Sequence, residues 1–329
     1  MAVKSVNKNS KGAKSPKLSR RPKKAPESRT AVMSIIAFVV VVLLGFEAVS
    51  LFKTPEAEIF LTAQMIGRFS GSDQPCGKFG AWDVTAVGND KIAVADPGGR
   101  VLFFDRSGKY LQSWGKKGQG PGDLNEPSAI ICDPQKNVYF VDAWKSCIIG
   151  LDEKVKKNLW LPLSGFYGAR GLAWDGQSFY VADTGTHRVV KLSPKGETVG
   201  VWGNGEGDGK NQLRDPRSLV VDSKGFIYTA DYENARVQIL DPTPGKFVKT
   251  IKIGQKASAI MIDSKNRLFV ASMDGNFVKV FTTEGKFLGR LKDEKGAEES
   301  FRGISGMGFT PDGILLLAAD NMISEFRVP

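Results

Sequence analysis

A short apolar run closed by a small or acidic residue recurs along this chain at a nearly constant interval, and that recurrence restricts the fold more than any other feature. The runs are IAVAD ending at Asp96, VYFVD at Asp142, FYVAD at Asp183, IYTAD at Asp231, LFVAS at Ser272 and LLLAAD at Asp320. They lie 46, 41, 48, 41 and 48 residues apart. Six copies at that period describe one supersecondary unit repeated six times, because a unit of this size cannot bury its apolar faces alone and must stack on its neighbours. Within the second copy four strand-sized segments follow one another: SAIICD (128–133), NVYFVD (137–142), SCIIGLD (146–152) and NLWLPL (158–163). Pro134-Gln135-Lys136 and Ala143-Trp144-Lys145 separate the first three, as turns do.

Short strands, tight turns and no helical periodicity predict an all-β chain, a six-bladed β-propeller over residues 61–329. The last copy leaves only three strands before the chain stops. AQMIGRFSG (63–71) reads like YLQSWGKKG (110–118), so strand 61–69 is expected to complete the sixth sheet and hide its edge. The segments VADTGTHRVVKLSPKG (181–196), TADYENARVQILDP (229–242) and VADPGGRVLFFDRSGKYLQSWGKKGQGPGDLNEP (94–127) resemble the NHL-repeat family. The resemblance covers about residues 60–329 and implies a propeller of NHL type. The fifth and sixth copies depart from the pattern: Ser272 replaces the acid, and Asp320 is followed by Asn-Met with no arginine.

Charge divides the chain. Residues 1–53 carry eleven of the 46 Lys and Arg but only two acids, Glu27 and Glu47, so the rest is close to neutral at +2. Residues 1–30 are basic and nearly free of large apolar side chains, which predicts a disordered cytoplasmic tail. Ala31 to Phe46 is uncharged, and residues 31–52 span a hydrocarbon core of about 30 Å as a single transmembrane helix or signal anchor. Ala48-Val49-Ser50 also fits a cleavable signal peptide; both readings export the remainder. Ten Lys and Arg precede the segment and only Lys53 follows closely, which keeps the tail inside. The expected organisation is therefore a tail (1–30), a helix (31–52), a linker (53–60) and an extracytoplasmic propeller, periplasmic if the cell is bacterial. A near-neutral domain on the far side of a membrane argues against nucleic acid as partner.

The residues that could carry chemistry are few. Cys76, Cys132 and Cys147 form no C-x-x-C pair and give neither a disulfide framework nor a thiolate zinc site. His187 is the only histidine, and one imidazole cannot build a His₃ or His₂Glu centre. No metal or other cofactor is expected; an oxygen-ligated calcium held by loop acids such as Asp123, Glu126, Asp208 and Asp215 stays open. Asp96 with Arg100, Asp183 with Arg188 and Asp231 with Arg236 span successive turns and read as structural pairs. Five residues before the end of each inner strand stand Asp83, Ser128, Arg170, Arg217, Ser258 and Ser305, all polar, which would ring the mouth of a central channel as candidate ligand-binding positions. Arg170 and Arg217 together could hold a carboxylate or phosphate. With no catalytic set in view, the expected role is a membrane-tethered module presenting this face to a protein, peptide or glycan. The alternative is a lactonase- or lyase-like enzyme with a carboxylate-bound metal in the channel.

Overall fold

The computed structural model describes residues 59–297 and 301–329. The tail and the membrane segment expected at 1–30 and 31–52, and linker residues 53–58, lie outside the described residues. Among the described residues there is no α-helix; a 3₁₀ turn runs over Thr184–Thr186, and no helix is long and apolar enough to cross a membrane.

The fold is an all-β propeller. Four sheets are four-stranded meanders: β2–β5 (Asp83–Val87, Lys91–Asp96, Arg100–Asp105, Tyr110–Trp114), β6–β9 (Pro127–Cys132, Val138–Asp142, Cys147–Leu151, Lys157–Pro162), β10–β13 (Gly171–Trp174, Phe179–Asp183, Arg188–Leu192, Thr198–Trp202) and β14–β17 (Pro216–Val221, Ile227–Asp231, Arg236–Leu240, Phe247–Lys252). The remaining strands are β1 (Phe60–Ser70), β18–β21 (Ala259–Ile262, Arg267–Ser272, Phe277–Thr282, Phe287–Asp293) and β22–β24 (Ile304–Phe309, Ile314–Ala319, Met322–Arg327). They form one eight-stranded sheet in the order β18-β19-β20-β21-β1-β24-β23-β22. Its middle strand, β1, changes partners along its length. Phe60 to Ala63 pair parallel with Arg290 to Asp293 of β21. Gln64 to Ser70 then pair antiparallel with Arg327 back to Met322 of β24, with a bulge between Met65 and Gly67.

The recurring apolar runs are the second strands, and their continuity has a simple cause. β11 and β15 are buried at every position, because each sheet is covered on both faces by its neighbours, so no polar face needs to alternate with an apolar one. Outer strands such as β5 and β9 stay largely exposed. Among the described residues six buried clusters hold the strands of the propeller together. One joins Leu102 and Phe104 to Leu316 and Ile323, and another joins Phe269 and Val280 to Leu317 and Phe326 through Ala63. The first strands of the chain thereby pack against the last.

The turn pairs fasten the loops between sheets. Asp183 and Asp231 are fully buried, and Asp96 nearly so. Asp96 accepts from the amides of Gly80 and Gly98, Asp183 from that of Tyr167, and Asp231 from that of Arg214. Arg100, Arg188 and Arg236 pair with these carboxylates at 2.7, 2.9 and 2.5 Å. Their outer nitrogens donate to carbonyls of the same incoming loops: Cys76 and Lys78, Gly165, and Asp208, Gly209 and Gln212. In the second sheet Cys147 faces Asp142, and Lys145 takes over the clamp by donating to the carbonyls of Gly120 and Asp123. Asp320 is not the equivalent residue of the last sheet. Ile304 pairs with Ala319 where Pro127 and Pro216 pair with Asp142 and Asp231, and Asp320 sits one place later in the turn, exposed and at a φ of 52°.

The candidate ligand site at the channel mouth

Each inner strand begins at the mouth of the channel, and the local backbone decides which side chain is delivered there. In three sheets the first residue after the entry point is a bulge: Ser128 between Pro127 and Ala129, Arg217 between Pro216 and Ser218, and Ser305 between Ile304 and Gly306. A bulge re-aims one side chain out of the alternating pattern, and here it points at the axis. Arg170 and Ser258 reach the same level without a bulge. Their amides donate to Ala182 O and Ala271 O, the carbonyls just before Asp183 and Ser272. A cavity of about 330 Å³ is lined by Ser128, Arg170, Arg217, Ser258 and Ser305 together with Trp82 and Met273.

Asp83 departs from the sequence expectation. In the first sheet the amide that donates to Ala95 O belongs to Trp82, so the indole holds the position assigned to Asp83, which lies one residue deeper. There its carboxylate bridges three inner strands. Oδ1 accepts from the amides of Val84 (2.9 Å) and Met307 (3.3 Å), and Oδ2 from that of Ile130 (2.9 Å). Burial nevertheless pushes the carboxyl up to about 7, against the opposing pull of those amides.

The three serines also have structural work. Ser128 donates to Ala169 O (3.0 Å), Ser258 to Ile304 O (2.6 Å) and Ser305 to Ala81 O, in each case a carbonyl at the entry of the next inner strand around the channel. Their hydroxyl protons fasten neighbouring inner strands together and are not on offer to a ligand. The two arginines are not bare cations either. Arg170 pairs with Glu126 at 3.1 Å and lies 5.0 Å from the Trp82 ring; Arg217 pairs with Asp215 at 2.7 Å and stacks 3.5 Å from the centre of the Tyr232 ring. Each guanidinium is neutralised and flattened onto an aromatic face. An incoming anion would have to displace a carboxylate already in place.

Beside the mouth, a second cavity of about 310 Å³ shares Arg170 and is walled by Trp144, Tyr167, Ser146, Thr184 and Asp215. Trp144 is 60% and Tyr167 66% exposed, and the Trp144 Nε1–H donates to Glu126. His187 is near this cluster: its Nδ1 accepts from the Asp215 amide at 3.2 Å. Of the loop acids considered for calcium, Glu126 and Asp215 are the partners of the two arginines, and among the described residues no three His, Cys, Asp or Glu gather as a metal centre would require. The sequence reading did not assign Glu126 and Asp215 this pairing. The signal was an acid followed by proline at the opening of an inner strand, Glu126-Pro127 and Asp215-Pro216.

The asparagine variant of Asp83 gives a direct measure of its buried charge. The folded chain holds this proton more tightly than the unfolded chain, whose carboxyl titrates near 3.8. Stability from this group is therefore greatest at low pH and falls as pH rises through roughly 4 to 7. Asp83 is only half-buried where it borders the channel, so the change is on the order of 2 kcal/mol. Urea unfolding across this range should show the wild type losing stability relative to Asp83→Asn as pH rises. A difference that does not vary with pH would contradict the assignment.

Known proteins match this chain in part. Residues 164–274 match the SMP-30/Gluconolactonase/LRE-like region. NHL repeat-containing protein 3 of Homo sapiens is 25% identical over 169 residues, 45% of this chain and 47% of that protein; the Mus musculus protein is 28% identical over 182 residues, 49% and 51%. The chain spans about half the length of these curated relatives. Among solved structures, a streptogramin B lyase superposes with a TM-score of 0.56 at 14% identity, covering 83% of this chain and 98% of that one. A chain of a nidogen/laminin complex gives 0.54 at 14% identity, covering 66% and 81%. At such identities the structural likeness is one of fold. The partial sequence matches and the all-β fold together support a propeller of NHL type.

Proposed function

We propose that this chain is a six-bladed propeller carried outside a membrane by an anchor at residues 31–52, and that its channel-mouth face binds a protein, peptide or glycan without transforming it. Counting β18–β21 as one blade and β22–β24 with β1 as another divides the eight-stranded sheet in two and gives six blades, in step with six sequence repeats. The observation that carries the binding role is the pairing at the mouth: guanidinium groups locked between carboxylates and aromatic rings, next to a Trp and a Tyr that are mostly exposed. Aromatic rings and arginine held in place at low entropic cost are what recognition surfaces use. The nidogen/laminin neighbour offers a precedent for a chain of this fold in a complex of two proteins.

A photo-crosslinking residue at Tyr167, in native membranes, should capture a defined partner. The same residue at Phe287, exposed on outer strand β21, should not. Equal capture at both positions would remove the assignment of this face.

One observation favours an enzyme: Asp83, a carboxyl raised to about 7, lines the channel beneath the mouth, and shifted carboxyls of this kind serve as general acids or bases. Hydrolysis of a simple lactone by the purified chain, lost in Asp83→Asn, would establish that reading.

A further inference from the structure

The chemistry of the two adjoining cavities narrows the ligand class, and this step rests on the binding role proposed above. Trp144 donates its only N–H to Glu126. Its indole therefore offers a ligand its face and no donor. A groove that grips a polyproline-type peptide combines aromatic rings with donors to peptide carbonyls; here the indole donor is already used. An aromatic face carries partial negative charge and attracts the weakly positive C–H face of a flat, saturated ring. Tyr167 adds a second such face in the same cavity.

The polar groups around these faces suit hydroxyls better than charges. Arg170 is balanced by Glu126 and Arg217 by Asp215. Both Arg217 bonds end on Oδ2 of Asp215, which leaves Oδ1 as an acceptor. A carboxylate–guanidinium pair fixed in this way presents acceptor and donor side by side, matching vicinal hydroxyl groups, and at the two inner cavities a net charge on the ligand would meet pairs that are already neutral; the cations Lys145 and Lys157 stand only in the outer cavity described next. Beyond Trp144 a further cavity of about 580 Å³ continues outward to Trp160, 43% exposed, with Lys157 over its ring at 5.5 Å. Cavities that share Arg170 and then Trp144 as walls suit a chain of rings rather than a single one.

We infer that the Tyr167–Trp144 cavity and its neighbours bind a neutral oligosaccharide, its rings stacked on the two aromatic faces and its hydroxyls bonded to the Arg170–Glu126 and Arg217–Asp215 pairs.

Isothermal titration of the purified full chain with cellohexaose, chitohexaose and maltohexaose tests this, with hexagalacturonate and decaproline as the acidic and peptide comparators. At least one neutral hexasaccharide should bind saturably. Trp144→Ala and Tyr167→Ala should each weaken it tenfold or more with an unchanged melting curve, since both side chains are exposed, and Trp144→Phe should recover most of the binding. The inference fails if no neutral hexasaccharide binds, if only hexagalacturonate or decaproline does, or if both alanine variants bind as the wild type. Capture of a protein through Tyr167 without sugar binding would overturn the oligosaccharide while leaving the binding module standing. Absence of both would remove the two together.

Discussion

Asp231→Ala should destabilise the propeller by about 3–5 kcal/mol, the usual loss when one partner of a buried ion pair is removed. Asp231 is fully buried and receives the Arg214 amide at 2.6 Å, the Asn234 side chain at 2.8 Å and the Arg236 Nε at 2.5 Å. Alanine removes the acceptor of these three donors and of the Gln238 side chain at 3.4 Å, and leaves the Arg236 cation without its counter-charge. The guanidinium also holds three carbonyls of the incoming loop, at Asp208, Gly209 and Gln212, so the loop should loosen with it. Repeat five shows the tolerated alternative. There Ser272 and Phe277 replace acid and arginine together, paired across the same turn, and Ser272 keeps the turn by accepting the Gly275 amide. The double variant Asp231→Ser with Arg236→Phe should therefore be more stable than the sum of its single losses, by 0.5–3 kcal/mol or so, read from urea unfolding. Strict additivity would show that the two side chains do not act as a unit.

Ala63→Glu should do comparable damage through a different route. Ala63 is completely buried where β1 leaves β21 and joins β24, in a cluster with Leu291, Phe301 and Phe326. A longer side chain has no room there, and a carboxylate in that cluster has no solvent. A loss of several kcal/mol, roughly 10 °C or more in Tm for a domain of this size, is expected. Thr62→Glu and Gln64→Glu place the same charge on the exposed positions either side and should stay within about 0.5 kcal/mol of wild type. Equal effects at 62, 63 and 64 would mean that β1 does not lie in the sheet as described.

The contrast between legible and illegible features follows from what each depends on. Second strands covered on both faces must be apolar throughout, so FYVAD and IYTAD stand out in the sequence. The acid that ends them recurs because each incoming loop needs an acceptor for its amides. The level of a side chain in the channel depends instead on one-residue bulges at Ser128, Arg217 and Ser305, and these carry no distinctive residue type. The same blindness put Asp83 where Trp82 stands and Asp320 where Ala319 stands. Partners far apart in sequence were equally hidden: Arg170 lies 44 residues from Glu126, and Ser128, Ser258 and Ser305 bond to carbonyls at the next inner strand around the channel. Similarity to outer strands pointed to the segment 61–69 as a closing strand, but nothing in it announced that its first residues would run parallel to β21.

The claim on which the rest depends is that one strand near the start of the chain sits between two strands near its end. Cysteine pairs test both sides of it. Gln64 and Arg327 face each other across β1 and β24 and are hydrogen-bonded at 2.9 Å, and Thr62 faces Lys292 across β1 and β21. Paired Cα atoms in sheets lie within the span a disulfide can bridge. Oxidation of Gln64→Cys with Arg327→Cys, and separately of Thr62→Cys with Lys292→Cys, should cross-link each folded variant in high yield and raise its unfolding midpoint. Cross-linking of only one pair, or of neither, in a folded protein would contradict the closure.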